Sequence, residues 1–354
     1  MLVYYHNSQV FIFMKDREND FNKNLKKLTT YKTTIVAQDI KRMHANESEK
    51  PIFSKNILMK GIDNLNYYPE ERYALLTKQA SKFYNLQQNN NVIPVNGSDE
   101  GIDLLIRTCC NVSDSILILK PGFSMYSQYA TAFGLETISF DLTQNEDSFS
   151  LDVDGLIKTA QKNKPKIIFI SNPLANVGSV VNKTDLLKIV KTLTSSVIVI
   201  DEAYIDFTNE DSMLSELEKY NNLVVLRTMS KFFGLAGIRL GFIFSNFTDE
   251  ILKIKSPYNV NQITCQIGIN VFQNINKTIL EERKKEFNNK RVKLIKWLKQ
   301  FKEVETIFSS ETNFVCVKLN CNADVFADKL AKKYKIKIKT MNGEYKNYCR
   351  ISVL

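Results

Sequence analysis

The chain has 354 residues, 44% hydrophobic and 24% charged, which is length enough for two globular domains with cores of their own and excludes disorder as the starting assumption. Its net charge of +10, mostly lysine, admits nucleic acid, an anionic membrane or an anionic small ligand, but no apolar run reaches the roughly 18 residues a spanning helix needs. Two histidines leave almost no room for a histidine-ligated metal site or a Ser-His-Asp triad, and six cysteines without a CxxC pair read as reduced thiols of a cytoplasmic protein.

In chain order, residues 1 to 19 fit no regular pattern and read as an extension, with Met14 as an alternative start. Residues 20 to 60 are expected to contribute to a smaller domain. From about 61 to 255, short β-branched runs at Ser115 to Leu119, Glu136 to Phe140, Lys166 to Ile170, Val197 to Ile200, Leu223 to Leu226 and Leu240 to Phe244 predict strands. Helix-period stretches at Asp99 to Cys110, Ser124 to Phe133, Asp152 to Gln161 and Lys183 to Leu193 separate most of them. That alternation predicts an α/β fold with a mainly parallel sheet in a large domain. Residues 256 to 354 read as a linking helical stretch, Gln262 to Lys302, and a small α+β domain. Its strands are expected at Asn313 to Leu319, Lys335 to Lys339 and Tyr348 to Val353, around a helix from Ala323 to Tyr334. Lysine is densest from Lys284 to Lys302, where Phe287, Leu294, Trp297, Leu298 and Phe301 recur at helical spacing. We read this as a packed amphipathic helix with a solvated face; without aromatic-interleaved basic loops elsewhere, no nucleic-acid partner is expected.

Three segments end a predicted strand or begin a predicted helix, where α/β proteins place ligand groups. In LVVLRTMSKFFGLAGIRLG, from Leu223 to Gly241, an apolar strand runs into Thr228, Ser230 and Lys231, with Arg239 eight residues beyond the lysine. Partial burial and a nearby arginine favour the neutral amine that imine chemistry needs, while two hydroxyls and a guanidinium suit a phosphate. In VIVIDEAYIDF, from Val197 to Phe207, a buried strand ends in Asp201, with Tyr204 three residues on. Such a carboxylate can pair with a pyridinium nitrogen, or simply cap the strand end. In VNGSDEGIDLLIR, from Val95 to Arg107, Gly97 and Ser98 precede an amphipathic helix; either its free N–H groups receive a phosphate or Ser98 is an N-cap.

Together with NYYPE, PYNVN and SETNF, these strings resemble the fold-type-I, class I/II pyridoxal-phosphate aminotransferases over about Asn24 to Leu354, and most of all their histidinol-phosphate branch. The resemblance implies a homodimer with its active site at the interface, acting on a phosphorylated amine and a 2-oxo acid in histidine biosynthesis. It places Lys231 as the Schiff-base lysine and proton shuttle, Asp201 at the cofactor's ring nitrogen and Tyr204 at its ring hydroxyl. Cofactor contacts would also come from Ser98, Asp99, Phe123, Thr228, Ser230 and Arg239, and from Tyr68 of the partner subunit. Substrate contacts would come from Arg350, Asn46 and Lys339.

Three departures stand against the family pattern. Its asparagine-rich turn reads Asn172 to Gly178 here, with Ala175 where an asparagine is expected to bond the ring hydroxyl, unless Asn176 substitutes by a shift of register. Lys339 stands where an arginine is expected, and the chain stops four residues after Arg350. They keep two alternatives open: a threonine-phosphate-type decarboxylase and a catalytically impaired cofactor-binding homologue.

Overall fold

The computed structural model describes residues 22–30, 36–88 and 91–354. The extension expected over residues 1 to 19, and Met14 with it, lie outside the described residues. In chain order the strands are β1 (Lys41–Met43), β2 (Val92–Asn96), β3 (Ser115–Lys120), β4 (Glu136–Asp141), β5 (Thr143–Gln144), β6 (Phe149–Ser150), β7 (Ile167–Ser171), β8 (Val197–Asp201), β9 (Leu223–Thr228), β10 (Leu240–Ser245), β11 (Val304–Ile307), β12 (Phe314–Leu319), β13 (Ile336–Thr340) and β14 (Tyr348–Ser352). Seven form one large sheet in the order β2-β10-β9-β8-β7-β3-β4.

That sheet is mainly parallel, as the alternating pattern predicts. The exception is β10, which turns back beside β9 and lies antiparallel to both β9 and β2. The central strands are apolar at nearly every position because both faces are covered. Ile198 and Ile200 pack into the core on one face, Val199 into the core on the other; Val225 and its neighbours Val224 and Leu226 divide the same way. The helices Gly97–Cys109 and Met125–Phe133 cover the second face, whereas Glu70–Phe83, Val153–Asn163, Lys183–Thr192 and Gln262–Asn274 cover the first. With side chains alternating at period two, Asp201 and Thr228 share the face of Val199 and Leu226, toward Gly97–Cys109 and Met125–Phe133.

β2 was not legible in the sequence, because Pro94 interrupts a short run; it pairs only with β10 along one flank of the sheet. A second sheet, β1-β13-β14-β12-β11, joins strands from both ends of the chain: β1 runs parallel to β13, placing Arg42 beside Lys337. The helix Ala323–Tyr334 packs against it through Phe326 and Leu330. The expected stretch Gln262 to Lys302 is two helices, Gln262–Asn274 and Lys277–Leu298, because Asn276 caps a new start by accepting from the Ile279 N–H. In the second helix Phe287, Leu294 and Leu298 are buried, which accounts for the aromatic stripe as packing. No helix among the described residues is long and apolar enough to cross a membrane.

Candidate active site

β7, β8 and β9 run parallel and end together at Ser171, Asp201 and Thr228. A cavity of about 650 Å³ opens at this edge, walled by the large sheet on one side and by β13 and β14 on the other. Strand ends are where backbone polar groups stop pairing with neighbouring strands and become free for a ligand.

Asp201 is 5% exposed. Its Oδ2 accepts from the Tyr126 hydroxyl at 2.7 Å and its Oδ1 from the Ala203 N–H at 3.1 Å, and it forms no salt bridge among the described residues. Burial pushes its pKa up to about 6, against the two hydrogen bonds, which favour the ionised form. The Tyr126 phenol is itself held well above its usual range, by burial first and then by the Asp201 charge, so it stays a donor. Tyr126 is a site residue that sequence reasoning missed. Its one signal is position: it follows Phe123 by three residues, and the two rings meet edge to face at 5.5 Å.

Lys231 enters the cavity from the loop after β9, and its Nζ donates to the Ala45 carbonyl at 3.0 Å. The same ammonium lies 5.8 Å from the centre of the Tyr204 ring. Tyr204 is buried edge-on against Phe314, and its hydroxyl accepts from Asn46 Nδ2 at 2.9 Å.

Beside them is a cluster of anion donors. Thr228 Oγ1 donates to Ser230 Oγ at 3.0 Å, and Arg239 reaches Ser230 Oγ at 3.2 Å and Asp99 Oδ2 at 3.0 Å. The helix Gly97–Cys109 starts here without a side-chain cap, so Ser98 is a first-turn residue and not the N-cap. Asn96, which holds the cap position, instead donates through its amide to the Asn259 carbonyl. The first N–H groups of this helix therefore remain available to an anion. Two glycines make the close approach possible. A Cβ on Gly97, whose φ is +71°, would lie 2.4 Å from Arg239 Nη2, and one on Gly241 would lie 2.7 Å from the Ser98 nitrogen. Hydroxyls, helix N–H groups and a guanidinium around one space are the donor set of a phosphate, and the Asp201 carboxylate, without a salt bridge among the described residues, is a partner for a cationic ring.

The opposite wall is basic. Arg350 donates to Asn176 Oδ1 at 2.7 Å and to the His44 carbonyl at 3.0 Å, with its guanidinium 5.4 Å from the Phe314 ring centre. Lys339 stands beside it across β13 and β14; desolvation, then the positive charges of Arg350 and Lys337, draw its pKa down. Of the expected residues, Ser98, Asp99, Phe123 and Lys339 line the cavity with those already described, but Asn46 and Tyr68 do not. Asn46, expected at the substrate, is 0% exposed and sits behind Tyr204, outside the cavity lining. Tyr68 is 74% exposed on the surface, stacked on Tyr258 at 4.5 Å. Ala175 lines the cavity, whereas Asn176, at φ +71°, turns away to bond Gly122 and Arg350. The turn therefore keeps its register, and Asn176 orients an arginine.

A family model of class I and II aminotransferases matches residues 39–353. The chain is 33% identical over 342 residues, 95% of its length and 94% of the relative's, to a histidinol-phosphate aminotransferase from Clostridium kluyveri. Among solved structures it is similar to the histidinol-phosphate aminotransferase of Clostridium acetobutylicum, at 25% identity and a TM-score of 0.78 over 88% of this chain and 93% of that one. The fold is also that of the Sinorhizobium meliloti histidinol-phosphate aminotransferase in complex with pyridoxal-5'-phosphate, at 19% identity and a TM-score of 0.82 over 94% and 92% of the two chains.

Proposed function

The chain belongs to the class I and II aminotransferases, and from that premise we propose that it transfers an amino group from histidinol phosphate to 2-oxoglutarate with pyridoxal 5'-phosphate as cofactor. The observation that carries this is the pairing across one cavity of Lys231 with a buried, ion-unpaired Asp201 carboxylate. A buried carboxylate with no salt bridge among the described residues, faced only by the more distant charge of Lys231, is matched by a ligand that brings a cation.

When bound, pyridoxal phosphate supplies a carbonyl for the lysine amine and a cationic ring that takes up the electrons released at the substrate's α-carbon. Asp201, kept ionised by the Tyr126 hydroxyl and the Ala203 N–H, would hold the proton at the ring nitrogen. Thr228, Ser230, Arg239 and the first turn of the helix Gly97–Cys109 would grip the cofactor's phosphate, and Phe123 would wall the ring. The Lys231 Nζ, hydrogen-bonded to the Ala45 carbonyl and 5.8 Å from the centre of the Tyr204 ring, would carry the proton taken from the substrate's α-carbon. Arg350 and Lys339 would receive the substrate's own phosphate, and Arg350 in turn the carboxylate of the oxo acid. The exposed Tyr68–Tyr258 stack suits a homodimer in which Tyr68 reaches the neighbouring subunit's phosphate site, in the cytoplasm.

The test is a half-reaction. Purified chain loaded with pyridoxal phosphate is mixed with histidinol phosphate and, separately, with threonine phosphate, and its absorbance above roughly 400 nm is followed. We expect the band to bleach with histidinol phosphate, to return with 2-oxoglutarate, and Lys231→Ala to abolish both. Release of carbon dioxide from threonine phosphate without any oxo acid would replace this reading with a decarboxylase, and failure to develop the band at all would mark an impaired homologue.

A further inference from the structure

Three consecutive residues before the large domain, His44, Ala45 and Asn46, each bond a different cavity residue: Arg350, Lys231 and Tyr204. The third is the most constrained. Asn46 has no exposed surface, a backbone φ of +54°, and every polar group engaged. Its backbone N–H donates to Ser352 Oγ at 2.9 Å, the Ser352 hydroxyl donates back to Asn46 Oδ1 at 2.9 Å, and the Asn46 carbonyl accepts from Asn313 Nδ2 at 2.9 Å. Ser352 has one proton. Its oxygen accepts from the Asn46 N–H, and its proton goes to Asn46 Oδ1. The amide is thereby fixed with Nδ2 facing the Tyr204 oxygen, which it fills as an acceptor. A phenol has a single proton of its own, and with its oxygen satisfied from behind, that proton is left for the cavity side, where Tyr204 and Lys231 line the wall.

We infer that Ser352 and Asn46 form a relay that sets Tyr204 as a hydrogen-bond donor toward the cavity, Asn46 and Ser352 being positioning residues that touch neither cofactor nor substrate. The inference rests on the proposed cofactor, and it makes β14 control the site twice: through Arg350 at the substrate end and, two residues on, through Ser352 behind Tyr204. Such a donor stabilises a negatively charged oxygen opposite it and so lowers the pH at which the neighbouring imine gives up its proton.

The experiment is a set of absorbance titrations of the pyridoxal-phosphate-loaded chain, each paired with a thermal melt of the cofactor-free form. Asn46→Asp keeps the size and the tolerance of positive φ but presents a carboxylate that takes the Tyr204 proton for itself. We expect the pH midpoint of the band above roughly 400 nm to rise by about one unit, a tenfold change in proton affinity. On a Tyr204→Phe background, already raised, the same substitution should add nearly nothing. Ser352→Ala, which removes one hydroxyl and is the milder change should Asn46→Asp fold poorly, should raise the midpoint by roughly half as much, and only when Tyr204 is present. A shift of equal size on both backgrounds would mean that the charge acts directly and would overturn the relay, as would an unmoved midpoint beside a lowered melting temperature. A wild-type chain without any visible band would instead count against the cofactor itself.

Discussion

The two walls of the cavity are built differently. On the large-sheet side Asp201, Thr228 and Ser230 are almost completely buried at the ends of parallel strands, and their geometry follows from backbone pairing and from two glycines. On the small-sheet side Lys337, Lys339 and Arg350 stand on two short antiparallel strands, partly open to solvent, and Arg350 is oriented by a turn asparagine and a carbonyl of the N-terminal segment. Both substitutions that depart from the family pattern, Ala175 and Lys339, line the cavity on this second wall or on the turn that touches it. On the proposed assignment, the comparison teaches that cofactor chemistry would be held by the part of the fold least free to vary, while substrate choice would be left to long side chains whose reach can be retuned without moving a strand.

Substitutions can break or sharpen that separation. Asp201→Asn should lower kcat by about 10²- to 10³-fold while leaving the substrate KM nearly unchanged, measured by steady-state transamination. The cofactor-free form gives an independent reading. The folded pKa of about 6 lies above the ordinary 3.8, so the native state binds the proton more tightly and loses stability as pH rises from about 4 to about 6. At pH 8 the apo Asp201→Asn chain should therefore be more stable than wild type by about 1–2 kcal/mol, and at pH 4 no more stable. A thermal melt in which the gain is equal at both pH values would show that burial of this charge is not what the fold bears.

Gly97→Ala should weaken cofactor affinity about tenfold by displacing Arg239, and lower stability by about 1–2 kcal/mol because the position is left-handed. Titration of the apo chain with pyridoxal phosphate checks it; unchanged affinity would show that the arginine has room to move.

Ala175→Asn tests where the two walls meet. An added amide on the cavity side should lower the pH midpoint of the visible band by about one unit, since a charge-assisted hydrogen bond contributes roughly 1.5 to 3 kcal/mol. An identical midpoint would mean the added side chain points elsewhere. Lys339→Arg should do least: a two- to fivefold fall in KM for the phosphorylated amine, roughly the gain from a planar fork over a point charge, with kcat unchanged. A changed kcat would join the mouth to the chemistry and dissolve the comparison.

Much of this was legible because it is local. Strands β7, β8 and β9 announce themselves as unbroken β-branched runs, and Asp201, Thr228, Ser230 and Lys231 stand at their ends, so one pattern indicates both fold and site. Tyr126 was not legible because its partner is 75 residues away, and nothing within its own helix distinguishes it from a core tyrosine. β2 hid behind Pro94, and Asn276 split one apparent helix into two.

By itself, then, the sequence determined the alternation of strand and helix, the strand ends that line the cavity, and the lysine among them, since each depends on residues near in the chain. Only tertiary structure decided which side of those residues is supported and by what: that Asn46 lies behind Tyr204 and outside the cavity lining, that Asn176 orients Arg350 while Ala175 faces the cavity, and that Ser352 is within a hydrogen bond of Asn46, 306 residues away. The reason is physical. A side chain's direction at a strand end follows from the pleat, but the partner that satisfies its remaining hydrogen-bonding capacity is chosen by whatever segment packs there, and that segment is set by the pairing of β1 with β13 from opposite ends of the chain.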